Sequence, residues 1–186
     1  MTATAKYTRT AMLLHWAVAL LITANVMLIW TVDYLPDDDV RPVIDTHKSI
    51  GITVLGLAIM RLLWRVVRRP PPLPEGYPWW ERLAAHLAHA GLYLLIFALP
   101  ISGWMHDSAW KEAATHPMFF FGLFEWPRIG WITAIEPGTK EHLHTLFGLV
   151  HTFLGYGLYS LFVLHVVGAL KHQFIDGETE IQRMLP

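Results

Sequence analysis

The sequence predicts an all-α protein, a four-helix transmembrane bundle, and three observations carry that prediction. The 186-residue chain is 54% hydrophobic with a mean hydropathy of +0.37, and only 16% of its residues are charged, well below the quarter usual for soluble domains. Its charges separate four almost uncharged runs, each near the roughly 20 residues that cross a bilayer. Basic and acidic residues then collect at opposite ends of those runs. One integral-membrane domain over 1–186 follows, with helices expected at about 10–32, 45–65, 83–105 and 142–171.

The first run, Thr10 to Val32, lies uncharged between Arg9 and Asp33. Its apolar stretch exceeds that of a signal peptide and no small-x-small site follows, so it reads as a span. The second, Lys48 to Arg65, carries Arg61, whose long side chain can snorkel toward the nearer surface. From Arg69 to Trp80 the prolines predict an extended strap that ends in the interfacial Trp79 and Trp80. The third run lies between Arg82 and Asp107, and the fourth between Glu141 and Lys171. Between them, Met105 to Glu141 is long for a connection, and Trp110, Phe119, Phe120, Phe121, Phe124, Trp126 and Trp131 suit it to rest on the outer membrane surface and cover a site there.

Four spans put both termini on one side. Lys6, Arg9, Arg61, Arg65, Arg68, Arg69, Arg82, Lys171 and Arg183 gather on that side, while Asp33, Asp37, Asp38 and Asp39 occupy the other. The positive-inside rule therefore predicts cytoplasmic N- and C-termini. The 14 basic and 15 acidic residues give a net charge of -1, which speaks against nucleic acid as a partner. Cysteine is absent, which removes disulfides, thiolate zinc, iron–sulfur clusters and thioether-linked haem together. Any metal must then rest on His, Met or carboxylate.

Eleven histidines remain, and the last helix carries the sharpest pattern. His144, His151, His165 and His172 are spaced by seven, fourteen and seven, so all four project from nearly one face. His151 and His165 lie inside the apolar run, about 21 Å apart along the axis, room for two large flat cofactors. Antiparallel packing supplies partners of equal depth. His15, six residues from Arg9, matches His165, six from Lys171; His47, 18 residues before Arg65, matches His151, 20 before Lys171. A macrocycle needs a small residue about one turn from each ligand, and Ala19, Gly51, Gly155 and Gly168 with Ala169 meet that need. His86 and His89, near the start of the third helix, have a depth close to that of His15, and either competes with it. Otherwise His86, His89 and His172 form a set able to carry protons or serve a quinone. His106, His116 and His142 read as loop residues.

The pieces Tyr7-Thr-Arg-x5-His15-Trp16, His47-x3-Gly51, Leu83-Ala-x-His86-x2-His89-x3-Tyr93, Ala98-Leu-Pro-x-Ser-Gly103 and His151-x3-Gly155 with His165 fourteen later resemble, in this order, the bacterial cytochrome b561 family. That family is related to the b-type subunits of nickel–iron hydrogenases and formate dehydrogenases. The resemblance implies a bundle in the bacterial inner membrane holding two haem b, one between His15 and His165 and one between His47 and His151. Lys48 and Arg9 are candidate partners of the haem propionates. It further implies transmembrane electron transfer with ubiquinone as a partner, superoxide:ubiquinone oxidoreduction being the leading reaction. An electron carrier or membrane anchor for a periplasmic redox protein, such as a dehydrogenase or hydrogenase, is the alternative. The acidic outer loop suits that alternative equally well. A haem-free proton-relay transporter leaves the fourteen-residue spacing unexplained.

Overall fold

The computed structural model describes residues 6–73 and 76–185; the middle of the expected strap, residues 74 and 75, falls outside them. Four long helices form: α1 over Arg9–Trp30, α2 over Asp37–Val67, α3 over Trp79–Ser108 and α5 over Pro137–Phe174. Each is long and apolar enough to cross a membrane. Two short helices, α4 over Gly130–Thr133 and α6 over Glu180–Arg183, complete the set. The long helices overrun the expected ranges at most ends. Counting uncharged residues finds only the hydrocarbon-crossing part, whereas the polar flanks stay helical because capping groups satisfy their ends.

Those caps are visible in the sequence. The Thr8 hydroxyl accepts from the Ala11 N–H at 3.3 Å and opens α1. Asp37, Asp38 and Asp39 fill the first turn of α2, where negative charge complements the helix dipole. The Glu136 carboxylate accepts from the Gly138 and Thr139 N–H groups at 2.8 and 3.0 Å, and Pro137 stands at the first position of α5, where no N–H is needed. Those two N–H groups hold the Glu136 carboxyl below its ordinary pKa.

Packing runs in a chain: α1 on α2, α2 on α3, and α3 on α5. The interior holds Met12, Val18, Ile52, Val54, Ala58, Leu95, Ile96 and Leu158, while Leu13, Leu20, Leu94, Phe153 and Leu164 point outward, as a lipid-facing surface requires. α3 packs tightly on α5 at Gly91, where a Cβ would meet Leu161 Cδ1 at 2.7 Å. Across the bundle, α1 and α5 meet chiefly through side chains, including the Trp30 and Tyr159 rings at 5.6 Å.

The long connection after α3 folds back over the end of α2 that carries His47. A two-stranded hairpin, β1 (Phe119–Phe120) with β2 (Phe124–Glu125), turns at Phe121 and Gly122 with φ of 49° and 72°. Two positive φ values in succession make a type I′ turn, the form that suits a hairpin. Buried Ser49 fastens the hairpin: its hydroxyl accepts from the Phe121 N–H at 2.9 Å and lies 3.3 Å from the Phe119 carbonyl. Arg128 binds Asp107 at 2.8 Å, and the Trp104 indole donates to the Pro127 carbonyl at 2.9 Å.

The opposite end is tied by the terminal residues. Buried Arg183 donates to the Pro72 carbonyl at 2.6 Å and to Glu180 at 2.9 Å, and its own carbonyl accepts from the Tyr7 N–H at 3.2 Å. The Trp16 indole donates to the Met184 carbonyl at 2.8 Å. Tyr77 stacks on His172 at 4.2 Å and donates to Glu180 at 3.0 Å.

Candidate functional site

α5 positions the site, because a fourteen-residue interval is close to four turns and returns His151 and His165 to the same face. Each meets one histidine of the other layer. His165 faces His15 of α1 with ring centroids 6.3 Å apart, and His151 faces His47 of α2 at 6.1 Å. Both pairs are edge-on rather than stacked. Two imidazoles facing each other across one metal need about 2.0 Å per metal–nitrogen bond and about 1.1 Å from each nitrogen to its ring centre, or about 6.2 Å between centroids. Both pairs fall on that separation.

Ring nitrogens and space also fit a ligand at each pair. Nδ1 of His15 and Nδ1 of His47 are buried and form no well-made hydrogen bond among the described residues, although the Asn25 carbonyl lies near the His47 ring. A buried nitrogen left without a partner is costly and calls for one. Beside the pairs, a Cβ on Gly51 or on Gly168 would touch nothing within 4 Å, and one on Gly155 would meet only the Tyr159 hydroxyl at 3.9 Å. The glycines named for macrocycle clearance thus border open space.

His151 is held by α3. Its Nδ1 lies 3.1 Å from the Leu99 carbonyl and 3.0 Å from the Ser102 hydroxyl, which itself donates to Leu99 at 2.9 Å. With the hydroxyl proton spent on Leu99, Nδ1 is the donor, so Nε2 keeps a free lone pair. A Cβ on Gly103 would stand 3.1 Å from His151 Cε1, so only a bare backbone lets the ring sit there without a shift. The segment Ala98–Gly103 contributed to the sequence resemblance without a role; Leu99, Ser102 and Gly103 supply one. A serine and a glycine just past a proline in an apolar helix were the signal.

The inner depth holds three histidines, since His89 of α3 also approaches His165, at 5.3 Å. That distance is shorter than two imidazoles facing each other across one metal require, whereas His15 meets it. The other members of the expected proton or quinone set go elsewhere. His86 is exposed with Nδ1 2.6 Å from the Arg82 carbonyl. His172 joins Tyr77, Glu81, Lys171 and Asp176, binding Asp176 at 2.7 Å. The Lys171 ammonium beside Asp176 holds that carboxyl below its ordinary value.

Two other expectations change. His106 is helical, not a loop residue: it stacks on His144 at 3.9 Å, and each ring's Nδ1 bonds the other's backbone carbonyl, at 2.8 and 3.0 Å. His142 likewise lies in α5, and His116 is exposed. Lys48, expected to face a propionate, is committed to Asp107 at 2.7 Å and Asp45 at 3.2 Å. Arg9 is exposed at the first turn of α1 and makes no ion pair among the described residues. The uncommitted cations near the inner pair are instead on α2: Arg61 and Arg65 lie over the Tyr93 ring at 5.4 and 5.6 Å.

The sequence profile of the prokaryotic cytochrome b561 family matches residues 6–186. The chain is 36% identical over 175 residues to cytochrome b561 homolog 2 of Escherichia coli (strain K12), covering 92% of this chain and 86% of that one. It is 23% identical over 184 residues to cytochrome b561 homolog 1 of the same organism, covering 97% of each. A Yersinia pestis protein named probable superoxide oxidase CybB is 28% identical over 192 residues, covering 97% of this chain and 96% of its own.

Proposed function

Because the chain belongs to the prokaryotic cytochrome b561 family, a family of b-type haem membrane proteins that transfer electrons, we propose that it carries electrons across the bacterial inner membrane through two haems. His15 with His165 would hold one and His47 with His151 the other. The observation that carries this reading is the pair of His–His separations, 6.3 and 6.1 Å, at two depths on one helix. A haem bound between two imidazoles supplies one-electron exchange at its edge and offers substrate no vacant metal position. The chain's own residues do the rest. Ser102 and Leu99 fix the His151 tautomer, Gly51, Gly155 and Gly168 keep space open beside the pairs, and the hairpin fastened at Ser49 packs on α2 two residues from His47. The arginines of α2 support cytoplasmic termini under the positive-inside rule.

Superoxide is the leading donor and ubiquinone the acceptor: two superoxide anions each give up one electron, and one quinone takes both electrons with two protons. The name of the Yersinia pestis relative and the sequence resemblance support this reaction. One observation favours a basic protein donor instead. Lys48 is neutralised by Asp107 and Asp45, and Asp37, Asp38 and Asp39 stand at the same end, so the outer face attracts cations rather than a small anion.

Purified protein given a superoxide source and ubiquinone separates the two readings. Rapid haem reduction with quinol formation is the expected result. Haem that stays oxidised under superoxide, yet is reduced by a periplasmic redox protein, supports the carrier reading. A pyridine haemochrome count near one per chain removes the two-pair assignment.

A further inference from the structure

At the end of the bundle that carries the termini, a cleft of about 170 Å³ opens between α1, α2 and α3. Lys6, Arg61, Arg65, Arg68 and Arg69 line it, no carboxylate among the described residues does, and Tyr93 is part of its wall. Among the described residues, neither Arg61 nor Arg65 is ion-paired; each lies over the face of the Tyr93 ring. An aromatic face relieves a guanidinium only in part, and an arginine set inside a span without a counter-ion is costly. The cleft is therefore built for an anion.

Depth tells which anion. Arg61 is six residues before the end of α2 at Val67, and His15 is six residues after the start of α1 at Arg9, so both lie about 9 Å along their helices. The cleft also includes Ala11, one turn from His15, and Tyr93, one turn past His89. It reaches the level of the inner histidines. A phospholipid headgroup stays at the boundary, where Lys6, Arg68 and Arg69 would suffice, and does not account for Arg61. We propose that Arg61 and Arg65 receive the propionate carboxylates of the inner haem, in place of the Arg9 that sequence position suggested. This rests on the two-haem reading above. A guanidinium matches a carboxylate with two parallel N–H donors, which an ammonium does not.

The consequence is electrochemical. Fixed positive charge beside the carboxylates favours the reduced, less positive haem, so these contacts raise the reduction step of the inner site. The test is a potentiometric titration of the purified holoprotein in phosphatidylcholine nanodiscs, followed at the haem α-band. Arg61→Gln should lower one of the two reduction steps by about tenfold in equilibrium constant, about 59 mV for one electron, leaving the other step in place. Arg61→Lys should recover part of that shift. Reconstitution with haem whose propionates are esterified should shrink the Arg61→Gln shift by at least half, since the contact it removes no longer exists.

An unchanged pair of steps with both haems loaded overturns the proposal. So does an equal shift with esterified haem, which would make Arg61 a remote charge. A shift that needs phosphatidylglycerol in the disc would overturn it too, and make the cleft a lipid site. If the unaltered protein binds fewer than two haems, the two-haem reading itself fails, and the haem count separates that outcome from the others.

Discussion

Asp107 is the acidic centre of the outer end, and replacing it with asparagine tests how that end is held. Its carboxylate is 5% exposed and takes Lys48 Nζ at 2.7 Å on one oxygen and Arg128 Nε at 2.8 Å on the other. At an effective dielectric constant of about 20, each contact is worth about 6 kcal/mol of Coulomb attraction before desolvation. Desolvation offsets much of this, and removing one member of a buried pair costs about 3–5 kcal/mol net because its partners stay buried. Lys48 keeps Asp45 at 3.2 Å and Arg128 keeps the Ala113 carbonyl at 2.6 Å, which places the expected loss near 3 kcal/mol. Reversible unfolding in mixed micelles, followed by tryptophan fluorescence, measures it. The half-exposed Asp45→Asn should cost less than about 1 kcal/mol. Combined with Lys48→Met, Asp107→Asn should cost clearly less than the sum of the two. A loss below about 1 kcal/mol for Asp107→Asn, or strict additivity, would refute the reasoning.

Ser102→Ala should leave haem content intact but shift the band and potential of the His47–His151 haem alone, because the His151 Nδ1 loses one of its two partners; equal changes in both haems would count against it. Gly148→Val should destabilise by about 1–3 kcal/mol, since even a Cβ there lies 2.9 Å from His106 Cε1 on a ring pinned to the His144 carbonyl; calorimetry checks it. For Asp176, the depressed folded pKa means its contribution is present above the unfolded value of about 3.9 and is lost as pH falls through the folded one. Hydrogen-exchange protection after residue 174, taken relative to the intrinsic exchange rate at each pH, should therefore fall as pH drops below about 4.

The four spans were legible because they depend on composition along the chain: charges cannot sit mid-span, so their positions mark the helices. The facing of the His pairs was legible for a related reason. Once helices are antiparallel and membrane depth is fixed, a residue's distance from the nearest flanking charge gives its height. Choosing among His15, His86 and His89 was beyond that rule, since height says nothing about rotation about the axis. Rotation comes from packing, and packing put His89 too near His165 and His86 outside. The ion pairs of Lys48 escaped for the same reason. Its neighbour Asp45 was visible in the sequence, but Asp107 reaches it only when α2 packs on α3, and Arg128 reaches Asp107 only after a loop of some twenty residues folds back. Ser49 hid in the same way, because a hydroxyl two residues from His47 has no sequence mark as a clamp for a hairpin seventy residues on.

The knot at Arg183 has a consequence for biosynthesis. Tyr7, Trp16 and Pro72 are made long before the Arg183 and Met184 groups that bind them. The first three spans can therefore enter the bilayer before this end of the bundle can close, so insertion and latching are separate events. A product cut before residue 180 would keep all four spans and leave that end unlatched. A membrane protease could recognise that product by its loose N-terminal segment.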